Sequence, residues 1–129
     1  MEAKDLRIGN LVMYSDNSTI FTVSGLHEFG MDCFDDVEET YIEYDQFEGI
    51  SLTEEWVLKF EQFDKTDKEG TPCFFNGDNI MLFDRGGCFD AYLHSEVDGS
   101  VFFATRLFYV HQLQNFYHAI EKQELTIKE

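Results

Sequence analysis

Two histidines raise the first question of chemistry. His111 and His118 stand seven residues apart in a segment of helical spacing, which puts both imidazoles on one helix face. Such a pair holds a metal only if other elements supply further ligands. The plainer expectation is a half-exposed polar flank, shared with Gln114, Asn115 and Glu121, beside an apolar stripe. His27-Glu28 has no second His four residues after the first, so the helical zinc pattern is absent. Asp64, Asp67 and Glu69 miss the alternate oxygen spacing of a calcium loop. Ser24-Gly25 and Ser95-Glu96 lack the glycine frame of a nucleophile elbow. The chain contains neither a G-x-x-x-x-G-K phosphate loop nor a G-x-G-x-x-G turn. Arg85, within Asp84-Arg85-Gly86-Gly87, is expected at an ordinary hairpin tip. Cys33, Cys73 and Cys88 are odd in number and form no C-x-x-C pair, which predicts reduced thiols, Cys33 and Cys73 being buried beside Phe. Carboxylates are so abundant that no acid–base pair stands out, because a catalytic acid is made by its environment. The expectation is a protein without catalytic residues, metal or cofactor.

The placement of charge is more informative. Twenty-six Asp and Glu face nine Lys and Arg in 129 residues, for a net charge of −17. Between Ile8 and Leu58 lie twelve acids and no Lys or Arg, so −12 of the −17 sits in that stretch. A general nucleic-acid binder is excluded, since neutralising phosphates takes clustered cations. Docking on anionic membranes is disfavoured for the same reason. The remaining readings are a solubilising surface, a cation-binding surface, or a face complementary to a positively charged groove. For the last, Asp32, Asp35, Asp36, Glu38, Glu39, Glu43, Asp45 and Glu48 form the candidate partner-binding set, with Phe34, Tyr41 and Phe47 as apolar anchors between them. Carboxylates in rows with aromatics between can imitate a nucleic-acid backbone and its stacked bases, and steer toward a basic protein in a salt-sensitive way.

The elements that must position these residues follow from periodicity. A composition with 14 Phe and 16% aromatic residues argues against disorder. Asn10 to Tyr14 and Ile20 to Val23 read as a hairpin closed by Ser15-Asp16-Asn17-Ser18 and ending at Ser24-Gly25. Gly30 to Phe34 and Tyr41 to Tyr44 read as a second pair, linked by the acidic Asp35 to Glu39. Alternation along this segment puts Glu43 and Asp45 on one face, opposite Ile42 and Tyr44. Four short strands in this span predict a small curled sheet or partial barrel. Thr53 is a good N-cap, with Glu54 and Glu55 in the first turn, and Leu52 and Val57 have staple spacing. The helix they open is expected to bury Trp56, Val57 and Phe60 and to end near Gln62. Asp64 to Gly70 reads as a solvated loop. Four further strands follow, at Cys73–Phe75, Ile80–Phe83, Cys88–His94 and Val101–Leu107. Asn76-Gly77-Asp78 and Asp98-Gly99 are hairpin signals between them, so a meander is predicted. The last helix spans Tyr109 to about Glu121, with Val110, Leu113, Phe116, Tyr117 and Ile120 as its apolar stripe. Leu125 to Ile127 is a candidate edge strand. The class is α+β, with two antiparallel β segments, one central helix and one C-terminal helix. It is read as a single domain over 1–129, with subdomains 1–50 and 51–129. No run reaches the length of a membrane span, and Met1 to Arg7 lacks the apolar stretch of a secretory signal, so a cytoplasmic location is expected.

Three segments together carry a resemblance: Leu6-Arg7-Ile8-Gly9-Asn10-Leu11-Val12, Leu52-Thr53-Glu54-Glu55-Trp56-Val57-Leu58-Lys59-Phe60, and Tyr109-Val110-His111-Gln112-Leu113-Gln114-Asn115-Phe116-Tyr117 followed by Glu124-Leu125. In this order they resemble a family of small proteins found in Bacteroidetes genomes, often in phage and prophage neighbourhoods. Relatives often place a glycine between the last helix and the Glu-Leu segment, where this chain has Glu121-Lys122-Gln123. The family carries no established catalytic residues, so the resemblance implies context. Small acidic phage proteins often occupy a host enzyme that handles nucleic acid, including RNA-guided nucleases with basic guide and target channels. The expected function is therefore an anti-CRISPR-like inhibitor that binds a basic nucleic-acid-handling protein, with no direct nucleic-acid binding and no membrane partner. The alternative is a structural or accessory phage module that assembles with itself or with another phage protein.

Overall fold

The computed structural model describes residues 5–16, 18–68, 70–77, 79–95 and 97–128. Asn17 and Asp78, named above in turns, Glu96, named above beside Ser95, and Glu69 lie outside them. By packing, the chain divides into two units, Met1–Ser51 with Tyr109–Glu124 and Leu52–Phe108 with Leu125–Glu129.

The first unit holds β1 (Leu11–Tyr14), β2 (Ile20–Leu26), β3 (Gly30–Phe34), β4 (Glu39–Glu43) and the short β5 (Phe47–Glu48). They form a curled antiparallel sheet in the order β4-β3-β2-β1-β5. Period-two alternation builds its buried face: Val12 pairs with Phe21, Val23 with Cys33, and Met31 with Ile42, and all six side chains are buried. β2 does not stop at Ser24-Gly25. It runs on to Leu26 through a bulge, the register passing from Val23 opposite Cys33 to Gly25 opposite Asp32, so Ser24 is the extra residue. The extension past Glu43 is corrected too. Tyr44–Gln46 is a 3-10 turn, which removes Asp45 from the face carrying Glu43.

The last helix, α2 (Val110–Glu121), belongs to this unit. Its buried residues are Val110, His111, Leu113, Gln114 and Tyr117, whereas Ile120 is exposed. The polar flank expected at His111 and Gln114 is thus an interior one. For Gln114 the reason is specific hydrogen bonding. Gln114 accepts from the Leu11 amide at 2.8 Å and donates to the Gly9 carbonyl at 3.1 Å. The buried Asn10 donates to Asn115 at 2.8 Å, and the Arg7 guanidinium pairs with Glu124. Two of the segments that carry the sequence resemblance are therefore bonded to each other. The reversal before Glu124 is made without glycine: Lys122 caps α2 in the left-handed region, at φ 60°.

The second unit holds α1 (Glu54–Lys59), β6 (Asp64–Lys68), β7 (Thr71–Asn76), β8 (Ile80–Asp84), β9 (Phe89–His94) and β10 (Val101–Leu107). Thr53 caps α1 by accepting from the Trp56 amide at 3.2 Å, as its position predicts. Leu52, Val57 and Phe60 are buried and Trp56 half-buried. The helix ends at Lys59, short of Gln62, because Phe60 turns extended and bridges Ile127. That bridge and the bonds between Thr126 and residues 61 and 62 are what become of the edge strand expected at 125–127.

The five strands form a meander, β10-β9-β8-β7-β6. The expected loop at Asp64–Gly70 is instead the edge strand β6, paired with β7 from Asp64 opposite Phe75 to Lys68 opposite Thr71. An edge strand needs a ladder on one side only, and charged residues keep its free side in water, so a polar sequence suits it. Gly77 and Gly99 sit in the turns with φ 51° and 74°, the conformation that makes glycine a hairpin signal. Phe74, Leu82 and Ala91 lie in register across three strands and are fully buried. The opposite face carries Phe75, Met81, Tyr92 and Phe103 in register, half-buried or exposed. Among the described residues, no helix is long and apolar enough to cross a membrane.

Candidate functional site

The candidate set is sorted by the pleat of β3 and β4. Their pairs alternate: Met31–Ile42 and Cys33–Thr40 share one side, while Gly30–Glu43, Asp32–Tyr41 and Phe34–Glu39 share the other. Since Met31, Cys33 and Ile42 are buried, the second side is the solvent face. It presents a carboxylate beside an aromatic ring twice over, Asp32 with Tyr41 and Glu39 with Phe34, with Glu43 at its end. Phe34 and Tyr41 are 43% and 51% exposed, which leaves them available as anchors.

Local contacts hold this face in shape. The hairpin between β2 and β3 closes with the His27 amide on the Gly30 carbonyl at 2.9 Å. Tyr44 donates its hydroxyl to the His27 carbonyl at 2.6 Å. The His27 ring then meets Asp32 through Nε2 at 2.8 Å and lies edge-on to Tyr41, centroids 5.8 Å apart. Tyr41 lies across Gly30: a Cβ there would fall 2.7 Å from its ring and 2.6 Å from the Ile42 carbonyl oxygen. Glycine at 30 is what lets the tyrosine lie flat over the strand. Ser24, the bulge residue, donates to Glu39 at 3.2 Å.

The rest of the set divides. Asp35 accepts from the Val37 and Glu38 amides at 2.8 and 3.0 Å, so it shapes the β3–β4 turn. Those amide bonds, Glu38 first, hold its carboxyl below the ordinary range. Asp36 and Glu38 are exposed at the same turn. Asp45 projects from the 3-10 turn and Glu48 from β5, at the other end of the strand order, so neither joins the β3–β4 face. Phe47 is no anchor. It is 4% exposed, packed edge-to-face on Tyr14 and Phe21, because β5 pairs with β1 and turns the ring into the core. Sequence reasoning passed over Phe29, 72% exposed at the tip of the β2–β3 hairpin, and the contacts of His27 with Asp32 and Tyr41. The signal was present in Glu28-Phe29-Gly30: a large apolar residue in a tight turn has no interior to enter.

The chemistry considered elsewhere meets interior environments. Burial pushes the Cys33 thiol up to about 11, away from the nucleophilic thiolate, with Asp32, Asp35 and Glu39 adding to the shift. Burial also holds His111 below the ordinary histidine range. Its ring stacks on Tyr109, and a Cβ at Gly49 would reach 2.7 Å from the Tyr109 ring. Asp90, nearly buried, accepts from Arg85 Nε at 2.9 Å and Arg106 Nε at 2.8 Å. Arg85 is therefore tied across its hairpin. Among the described residues, no three His, Cys, Asp or Glu are gathered as a metal site. Comparison with protein-family models, curated proteins and solved structures gives no significant match.

Proposed function

We propose that this chain is a non-enzymatic binding protein whose β3–β4 face occupies a basic, nucleic-acid-handling protein, in the manner of a phage inhibitor of an RNA-guided nuclease. The observation that supports it best is the alternation of Asp32, Glu39 and Glu43 with exposed Phe34 and Tyr41 on one sheet face. The carboxylates have the charge of phosphates, and the rings offer the flat apolar surfaces of bases. No Lys or Arg lies between Ile8 and Leu58 to offset them. Such a face attracts a cationic groove at long range and is weakened by salt. Phe29 supplies a third apolar contact at the hairpin tip. The resemblance to proteins of Bacteroidetes phage neighbourhoods supports the same setting, the cytoplasm of a bacterial host.

The test uses the whole chain as bait in a nuclease-treated host lysate, followed by competition with the captured protein's own nucleic acid. The expected result is one basic protein, released by high salt and displaced by its guide or target strand. Combining Glu39→Lys, Glu43→Lys and Tyr41→Ala is expected to abolish capture while the circular dichroism of the fold stays unchanged. Asp35 is left intact because it builds the turn. Capture that ignores both salt and these substitutions overturns the reading.

A further inference from the structure

The two sheets have four edges, and three of them are guarded by charge. β4 carries Glu39 and Glu43, the two-residue β5 carries Glu48, and β6 carries the exposed Asp64 and Lys65. Charged side chains on an edge must stay hydrated, which discourages another strand from pairing there. β10 differs. Its sequence, Val101-Phe102-Phe103-Ala104-Thr105-Arg106-Leu107, contains no carboxylate, and its one charge, Arg106, is held by Asp90. Val101, Phe102 and Phe103 are 43%, 51% and 52% exposed.

The incompleteness is directional. Ile80, Leu93 and Phe102 lie in register on the buried side of the sheet, and burial falls from complete at Ile80 to half at Phe102, where the sheet stops. On the other side Phe83, Tyr92 and Phe103 form a chain of edge-to-face rings, at 5.3 and 5.6 Å, that runs out at the same edge. Both faces lack one more strand. The bulge at Ala104 ends the flat part of the edge, and beyond Leu107 the Phe108 carbonyl is taken by the Leu52 amide. Val101–Phe103 is the stretch left for pairing.

We propose that this edge pairs antiparallel with the same edge of a second copy, giving a symmetric dimer centred on Phe102. Charge selects the occupant. A chain of −17 repels its own copy over most of its surface, and β10 is the sheet edge where two copies meet without opposing carboxylates. A two-fold pairing about Phe102 sets Val101 opposite the partner copy's Phe103, an aromatic–β-branched pair, and extends the buried row with a second Phe102. Salt then acts in the direction opposite to its effect on the acidic face: screening the mutual repulsion strengthens the dimer.

Sedimentation equilibrium of the full chain over a concentration series, at low and high salt, tests this. The expected result is a reversible species of twice 15.1 kDa, favoured by salt. Phe102→Lys is expected to abolish it with the fold intact, while Glu39→Lys with Glu43→Lys, which disable the acidic face, leave it. Hydrogen exchange on the unaltered protein reads the same contact without a substitution, as concentration-dependent protection of the 101–103 amides. A monomer at every concentration overturns the proposal and leaves β10 to a foreign strand. A dimer that survives Phe102→Lys but yields to Ile120→Lys places the contact on α2 and overturns it equally.

Discussion

The sheets β1–β5 and β6–β10 have the same strand number and antiparallel pairing, and each buries one face, yet their solvent faces differ in chemistry. On β3–β4 the carboxylates of Glu39 and Glu43 stand with no cation among the neighbouring residues from Ile8 to Leu58. On β8–β10 the carboxylate of Asp90, on the face of Phe83 and Tyr92, is bracketed by Arg85 and Arg106, and aromatic rings fill the space around it. The first face retains its charge for whatever approaches; the second neutralises its own. Similar scaffolds thus carry different interaction chemistry, because the pleat leaves every second residue free of any packing role. The units also differ in how they turn. Among the described residues, those with left-handed backbone in the second unit are all glycines, whereas the first uses Ser18 and Lys122 as well as Gly9.

The largest expected effect tests whether the two cores are equivalent. Phe74→Ala in the second sheet and Met31→Ala in the first each remove a fully buried side chain. Each should lower the unfolding free energy by about 2–5 kcal/mol in urea titration. A loss below about 1 kcal/mol at either site would mean that its surroundings collapse into the gap, and the equivalence would fail. Next comes the contrast between faces. Glu39→Lys with Glu43→Lys should weaken partner binding by about a hundredfold, or about 3 kcal/mol. The same change of charge in the second unit, Glu55→Lys with Asp64→Lys, should stay within about threefold. Equal losses in calorimetric titration would make net charge, not the face, the determinant.

Gly30→Ala probes how the first face is held. The new Cβ meets the Ile42 carbonyl at 2.6 Å, and that backbone atom cannot move cheaply. A cost of about 1–3 kcal/mol is expected, with displacement of Tyr41 visible as changed ring shifts by NMR. Unchanged stability and shifts would refute the close approach.

Acid probes the second face. Arg106 foremost, then Arg85, hold the Asp90 carboxyl below its ordinary value of 3.8. A depressed carboxylate contributes stability that is complete above its unfolded value and fades as pH falls through its folded one. Asp90→Asn should therefore lower the melting temperature at neutral pH, and the gap to the unaltered protein should narrow only below about pH 4. A gap constant down to about pH 2 would remove the ion pairs from the account. The smallest effect is Lys122→Gly, expected to stabilise by about 0.5–1 kcal/mol by relieving the left-handed lysine.

Much of this was legible in the residues. The alternation of Ile20 to Val23 and Gly30 to Phe34, the Thr53 cap and the Asn-Gly and Asp-Gly turns are local signals, and each strand and helix they announce is present. Most of the candidate site on β3 and β4 was legible for the same reason, since a period of two assigns Asp32, Phe34, Tyr41 and Glu43 to one face once the strands are known; Glu39, expected in the acidic link, joins them because β4 starts there, opposite Phe34. What was not legible depends on partners far along the chain. Asp64–Lys68 has a loop's composition and becomes a strand because β7 offers a ladder. Gln114 and His111 look like a polar flank and are buried, Gln114 because Gly9 and Leu11 bring a carbonyl and an amide to α2, and His111 with its ring stacked on Tyr109. Phe47 looks like an anchor and is core because β5 crosses to β1.

The sequence by itself determined the class of the fold, the position of its turns and the concentration of charge, all of which arise from neighbours within a few residues. The tertiary structure decided which carboxylates share a face, which aromatic residues are exposed and which strand edge lacks a neighbour. Those properties belong to pairings between distant segments, and the free energy of such pairings is set by what the far partner presents.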